Sequence, residues 1–206
     1  MDANQKQQVK ILSKELRRGF DLAGDGNLVE ACRIYQNVAE RLRVLGLDSG
    51  FLSWHLAIAN ENLGELEKAF HHVVAALDTD PVSQPFLNSF DVIAGRIRAA
   101  LAAGSRPADD PSTPRLYDLL VSADEADVPS HAVMARWLSA KGDLARAGAI
   151  AEALVTLHPV DPISWRCKAE VARTSGDAAT ADACMAEAAA RGSAPAPFAV
   201  PGVAQG

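Results

Sequence analysis

The sequence predicts an all-α protein built from repeated pairs of antiparallel helices. Hydrophobic residues make up 49% of the 206 residues, but aromatic residues make up only 5%. A core of alanine, leucine and valine suits closely packed helices, whereas sheets would need more β-branched and aromatic residues. The second observation is a glycine that recurs in the same local context, at intervals of about 34 residues. Apolar residues at helical spacing on both sides of that glycine complete the pattern of a helix pair.

The repeat appears when the chain is aligned on four glycines, Gly26, Gly64, Gly142 and Gly176. Alanine follows each glycine by five residues, as Ala31, Ala69, Ala147 and Ala181. A small residue precedes each glycine by seven residues, as Gly19, Ala57, Ala135 and Ala169. We expect the glycine to end the first helix of a pair in a left-handed conformation, which costs a residue without Cβ little. The small residues predict that the two helices of a pair approach each other closely.

The spacing of the glycines also predicts a degenerate pair in the middle of the chain. Gly142 and Gly176 are separated by one period of about 34 residues, and Gly26 and Gly64 by a slightly longer interval. The interval from Gly64 to Gly142 is two such periods plus about ten. We therefore expect one degenerate pair in this interval, enlarged by a long loop. The loop is predicted at GSRPADDPSTPR, residues 104–115, because its three prolines would break a helix.

These markers divide the chain into one helical domain, residues 1–191, and a tail. The five predicted units within the domain are about 12–45, 50–81, 82–127, 128–161 and 162–191. Asp161 followed by Pro162 marks the start of the last unit, because aspartate caps a helix and proline is favoured in its first turn. Residues 192–206 contain three prolines and no charged residue, which predicts a disordered tail.

The predicted helix–turn–helix unit resembles the tetratricopeptide repeat (TPR). The resemblance is carried by HLAIANENLGELEKAFHHVVAALDTDP, residues 55–81, and MARWLSAKGDLARAGAIAEALVTLHP, residues 134–159. With weaker copies elsewhere it covers about residues 9–191. The resemblance implies a right-handed superhelical solenoid of about five antiparallel helix pairs, with the first helix of each pair on its concave wall. It also implies a protein-binding module in place of an enzyme.

Residues 13, 10, 6 and 3 positions before each glycine would form the inward stripe of each first helix. The candidate partner-binding residues of this groove are Phe20, Phe51, Trp54, Ile58, Glu61, Arg136, Arg166, Glu170 and Arg173. The stripe is apolar and aromatic in its N-terminal half and carries three arginines in its C-terminal half. It therefore predicts a protein or peptide partner with an apolar segment and an acidic end. Whether Phe20 and Trp54 face that partner or pack as core is left open by the sequence.

Charge and composition narrow the classes of partner. A net charge of -6 and an isoelectric point near 5.3 argue against nucleic acid, because phosphate binding needs a basic surface. The first helix is a local exception, with Lys6, Lys10, Lys14, Arg17 and Arg18. The N-terminus lacks the apolar core of a signal peptide, and no apolar run is long enough to span a membrane. We therefore expect a cytoplasmic protein without membrane insertion, whose three cysteines are buried free thiols.

No motif indicates catalysis, a metal site or a cofactor. The sequence lacks a glycine-rich phosphate loop, a nucleophile elbow and a zinc signature. The function predicted is a non-enzymatic interaction module or adaptor that binds a peptide or protein segment in its groove. Two alternatives stay open at this point. One is a chaperone or pilot protein for bacterial secretion or surface-appendage assembly, and the other is a regulatory domain in transcription or signalling.

Overall fold

The computed structural model describes residues 3–47, 49–103 and 110–192, and within these ranges every regular element is a helix. The predicted fold class, all-α with TPR-like antiparallel helix pairs, is confirmed. The helices are α1 (Ala3–Gly24), α2 (Leu28–Val44), α3 (Gly50–Asn62), α4 (Leu66–Thr79), α5 (Gln84–Ala102), α6 (Thr113–Ser122), α7 (Val128–Ala140), α8 (Leu144–Leu157), α9 (Pro162–Thr174) and α10 (Ala178–Gly192).

The chain divides into two compact units, and the first is Met1–Ala100. It contains α1 to α4 and most of α5, and α1 packs against α2, α2 against α3 and α3 against α4. A core shared by α1, α2 and α3 consists of Leu12, Ala31, Tyr35, Val38, Leu52 and Leu56. Because these side chains come from three helices, the first helix pair is fixed to the first helix of the second.

The second unit, Leu101–Gly206, contains α6 to α10. Here α7 packs against α8, α8 against α9 and α9 against α10, and α7 also contacts α9 directly. The core is built mainly from small and aliphatic residues, namely Ala132, Met134, Ala135, Leu138, Ala147, Ala151, Leu154, Cys167 and Val171. The first helices of successive pairs therefore lie side by side. The division of the chain into five sequence units stays a prediction.

Four turns have the geometry that the recurring glycines predict. Gly26, Gly64, Gly142 and Gly176 have φ values of 80°, 77°, 81° and 86°. At the second of these turns the amide of Gly64 donates to the carbonyl of Glu61 at 3.1 Å, and that of Glu65 donates to Asn60 at 2.9 Å. This pairing satisfies the last carbonyls of the first helix and requires the left-handed backbone that glycine adopts at little cost.

The small residues on either side of each turn are fully enclosed. Ala31, Ala69, Ala147, Ala57, Ala135 and Ala169 are each 0% exposed. Gly19, which takes the place of alanine in the first pair, lies so close to α2 that a Cβ atom there would be 2.7 Å from Cε1 of Tyr35. The helices of a pair thus approach as closely as the sequence predicts, and the contact leaves no space for a larger side chain.

The middle of the chain corrects one sequence prediction. Residues 104–109 of the predicted 104–115 loop lie outside the described residues, but Thr113, Pro114 and Arg115 form the first turn of α6. Proline is tolerated there because the first amides of a helix have no intrahelical acceptor. Asp161 caps α9, with Pro162 in the first turn, as predicted. Gly192 ends α10, and the remaining predicted tail, residues 193–206, lies outside the described residues.

The cysteines are buried free thiols, as predicted. Cys32, Cys167 and Cys184 are all buried and form no disulfide. Burial raises the pKa of the Cys167 thiol to about 12, so this sulfur stays protonated and unreactive near neutral pH. A separate finding concerns membranes: none of the helices in the described ranges is long and apolar enough to cross a bilayer.

Replacing Gly19 with alanine tests the close approach of α1 and α2. The added methyl group would overlap Tyr35, which is 1% exposed and held by its neighbours. We expect Gly19→Ala to lower the free energy of unfolding in urea by about 1–2 kcal/mol, despite the better helix propensity of alanine. The control is Gly24→Ala in the same helix, where a Cβ would meet no atom within 4 Å. Equal stability of the two variants would contradict the assigned contact.

Candidate partner-binding surfaces

An aromatic cluster lies in the first unit and is centred on His55. Its members are Phe20, Tyr35, Phe51, Trp54, His55 and Phe86. The His55 ring lies 4.4 Å from the Phe51 ring, 4.6 Å from Phe20 and 4.9 Å from Trp54, measured between centroids. Four helices, α1, α2, α3 and α5, therefore contribute rings to one cluster. The edge-on and tilted contacts are those that aromatic pairs favour.

The members of the aromatic cluster differ in exposure, and this separates packing from surface roles. Tyr35 and Phe86 are buried, at 1% and 8% exposed, whereas Phe51 is 49% exposed. Trp54 is half-buried, and its indole Nε1 donates to Oγ of Ser89 on α5 at 2.8 Å. The contact fixes Trp54 between α3 and α5. Phe51 is therefore the ring of this cluster that offers the most surface to another molecule.

Ile58 and Glu61 line a cleft between α3 and α5 next to the cluster. The cleft has a volume of about 170 Å³, and its lining is Ile58, Glu61, Asn88, Ser89, Val92 and Ile93. Nη1 of Arg96 lies 2.7 Å from Oε1 of Glu61 and donates to the Glu61 carbonyl at 3.1 Å. The Glu61 carboxylate thus has a partner within the chain. Val92 is 54% exposed and continues the apolar surface.

The α5 side of this surface was missed by the sequence analysis. The missed residues lie 35 positions after residues that were identified, since Ser89 follows Trp54 and Arg96 follows Glu61 at this interval. The inward stripe was defined by counting back from a glycine, and the degenerate pair has no such glycine. A search about one repeat length beyond each stripe residue, allowing one residue of shift, would have found both.

A second, polar cleft lies within the second unit. Its volume is about 280 Å³, and it is lined by Ala102, Pro129, Ala132, Val133, Arg136, Ile163, Arg166, Cys167 and Glu170. Three predicted residues, Arg136, Arg166 and Glu170, therefore come together on α7 and α9. Arg173 is exposed on α9 just beyond Glu170, outside the lining of the cleft.

The charges of the polar cleft are only partly paired. Nε of Arg136 lies 3.8 Å from Oε2 of Glu170, which is a loose contact between two exposed groups. Within the described part of the chain, Arg166 and Arg173 form no ion pair. Exposed guanidinium groups without a partner can bind a carboxylate through two parallel hydrogen bonds. Within the residues that the structure describes, no group of three or more His, Cys, Asp or Glu side chains could hold a metal ion.

Solved structures with similar helix arrangements share little sequence with this chain. MamA from Desulfovibrio magneticus RS-1 is 14% identical, with a TM-score of 0.41 and coverage of 88% of this chain and 94% of the other. TTC0263, a TPR protein of Thermus thermophilus, is 16% identical, with a TM-score of 0.40 and coverage of 87% and 91%. The TPR2AB domain of yeast Sti1, solved as a complex with pHSP90, is 14% identical, with a TM-score of 0.42 and coverage of 87% and 77%.

No known family model and no curated protein sequence matches the chain. The assignment of TPR-like helix pairs therefore depends on the glycine turns and small-residue contacts of this chain itself.

His55 gives the first unit a pH-dependent stability that can be measured. Burial lowers the pKa of His55 below its ordinary value of 6.5. The unfolded chain therefore takes up a proton near pH 6.5 while the folded chain still excludes it. Stability must fall as the pH drops below about 6.5 towards the lower folded-state pKa.

We expect His55→Phe to reduce the loss of stability between pH 7 and pH 5, measured by urea unfolding at several pH values. The slope will not vanish, because burial also lowers the pKa of His72 and His131. Identical slopes in the variant and the wild type would show that His55 is not held neutral by its surroundings.

Proposed function

We propose that the chain is a non-enzymatic interaction module, an adaptor that binds a peptide or protein segment on the walls formed by α3 and α5 and by α7 and α9. The observation that carries the proposal is the half-exposed ring of Phe51, held by the half-buried rings of Phe20, Trp54 and His55. A large apolar side chain on a rigid support is the usual centre of a protein-binding surface. The proposed setting is the cytoplasm, where three free thiols would stay reduced.

The apolar part of the partner would contact the first unit. Phe51 and Val92 are 49% and 54% exposed, and Ile58 lines the same cleft as Val92. Trp54 and Phe86 support this surface from below. A partner that covered Phe51 and Val92 would remove apolar area from water without disturbing the helix contacts beneath.

The acidic part of the partner would contact the second unit. Arg166 and Arg173 project from α9 about two turns apart and are free of ion pairs in the described residues. The Arg136–Glu170 contact of 3.8 Å is loose enough to exchange for a stronger one. An assembly chaperone would use the same surfaces, and the identity of the bound protein would distinguish the two roles.

Peptide selection against the full chain tests the apolar surface. We expect displayed peptides to be enriched in large apolar residues accompanied by acidic ones, and to bind at least about tenfold less tightly to Phe51→Glu. The matched control is Val29→Glu, which replaces another exposed apolar residue, on α2, with the same carboxylate. Equal loss of binding in both variants, or none in either, would contradict the proposal.

The arginine surface requires a separate measurement. For an acidic peptide from the same selection, the double variant Arg166→Ala and Arg173→Ala should weaken binding and reduce its dependence on salt. Arg17→Ala, an exposed arginine on α1, is the control and should leave both properties unchanged. If the salt dependence persists in the double variant, the acidic end of the partner binds elsewhere.

A further inference from the structure

A third cleft lies in the second unit, between α6, α7 and α8, and takes no part in the proposed peptide binding. Its volume is about 330 Å³. The lining consists of Tyr117, His131, Ala149, Ile150, Ala153, Leu154, Leu157 and His158. We call it the Tyr–His cleft. None of its lining residues is shared with the polar cleft on α7 and α9.

One face of α8 forms the apolar wall of the Tyr–His cleft. Ala149, Ala153 and Leu157 follow one another at intervals of four residues, so they form a single row along the helix. Ala149 and Ala153 are exposed and small, and Leu157 is 72% exposed. The small residues leave the trough open, whereas Ile150 and Leu154 close its floor. Neither Lys nor Arg contributes to the lining.

Tyr117 and His131 form the polar end of the cleft. The Tyr117 hydroxyl lies 2.7 Å from Nδ1 of His131, and the two rings meet edge to face with centroids 5.5 Å apart. Burial raises the pKa of the Tyr117 phenol and lowers the pKa of the His131 imidazole, although Asp127 opposes the second effect. Both groups are therefore neutral at pH 7.

The hydrogen bond between these neutral groups determines what the cleft can recognise. We assign the hydroxyl as the donor and Nδ1 as the acceptor, because a neutral imidazole carries only one proton and the phenol is a good donor. The imidazole proton then lies on Nε2, which has no partner among the residues described. The phenol oxygen keeps its capacity to accept. Tyr117 and His131 together thus offer one donor and one acceptor and no net charge, and His158 lines the same cleft.

We propose that the Tyr–His cleft binds a small, uncharged, mainly apolar molecule that carries a single hydroxyl or carbonyl group. The apolar body would lie along the row of Ala149, Ala153 and Leu157, and its oxygen would meet Tyr117 and His131. A cavity of this volume lies within the range of small-molecule sites, which are largely apolar with a few polar groups that fix orientation. A carboxylate would meet neither Lys nor Arg in the lining and would approach Asp127.

2-Naphthol is a suitable probe because it combines a rigid apolar body with one hydroxyl. Titrated into the full chain at pH 7.5, it should bind with a dissociation constant on the order of 1 mM or tighter, by calorimetry or NMR. The His131 ring resonances should shift during the titration. 2-Naphthoate, the anionic analogue, should bind at least about tenfold more weakly. Equal affinities for the two compounds, or unshifted His131 resonances, would overturn the proposal.

Two further variants locate the site and its polar contact. Ala153→Trp fills the trough from an exposed position and should abolish 2-naphthol binding, whereas Ala145→Trp, exposed on α8 but outside the cleft, should not. Tyr117→Phe keeps the ring, removes the hydroxyl and should weaken binding several-fold. Circular dichroism establishes that each variant is folded. Retained binding in Ala153→Trp would place the site elsewhere.

A competition experiment separates this proposal from the peptide surface. Peptides that depend on Phe51 should not displace 2-naphthol, because the Tyr–His cleft shares no residue with the surface they use. Displacement would mean that the cleft belongs to the peptide surface and would overturn its assignment as an independent site. Loss of peptide binding in Phe51→Glu would leave 2-naphthol binding unchanged.

Discussion

The close approach of two helices at small residues is the constraint on which the structure depends. Ala57 and Ala69 in one pair and Ala135 and Ala147 in another are each 0% exposed, and a glycine turn with positive φ joins the helices. The turn sets the direction in which the second helix runs back along the first, and the small side chains set the distance between the two helices. Neither device works alone, because a tight turn between bulky faces would separate the helices above it.

The small residues at the contact within each pair limit where large side chains can lie. The rings of Phe51, Trp54, His55 and Phe86 lie where different helix pairs meet, whereas Phe20 and Tyr35 also contact each other within the first pair, beside Gly19. The chain has six Phe, three Trp and two Tyr residues, and five of these lie in the aromatic cluster. His55 is the sixth member, and its neutral imidazole packs among them as a further ring. Phe51 is exposed because the rings beneath it already fill the junction.

The sequence predicts a site residue when its place is fixed by its distance from the glycine turn of its own helix pair. It does not predict contacts that join one helix pair to another. Counting back from Gly142 and Gly176 located Arg136, Arg166 and Glu170, which share one cleft, because helical periodicity is fixed by the turn. Glu61 was found but its pairing with Arg96 was not, since that ion pair joins two helix pairs. Tyr117 and His131 contact each other because α6 packs on α7, and the spacing of residues along the sequence does not reveal that packing.

Two half-buried imidazoles, those of His55 and His131, show how one residue type serves two surfaces through its surroundings. His55 lies among rings and acts only as an apolar surface, so burial alone accounts for its lowered pKa. His131 is also held neutral by burial, but it has a phenol at Nδ1 and Asp127 nearby. Protonation would turn Nδ1 from an acceptor into a donor and would require the Tyr117 hydroxyl to reverse its role. Protonation of His55 would place a charge beside Phe51 in the first unit. The apolar character of both proposed surfaces therefore depends on keeping these imidazoles neutral, which their partial burial among neighbouring helices favours.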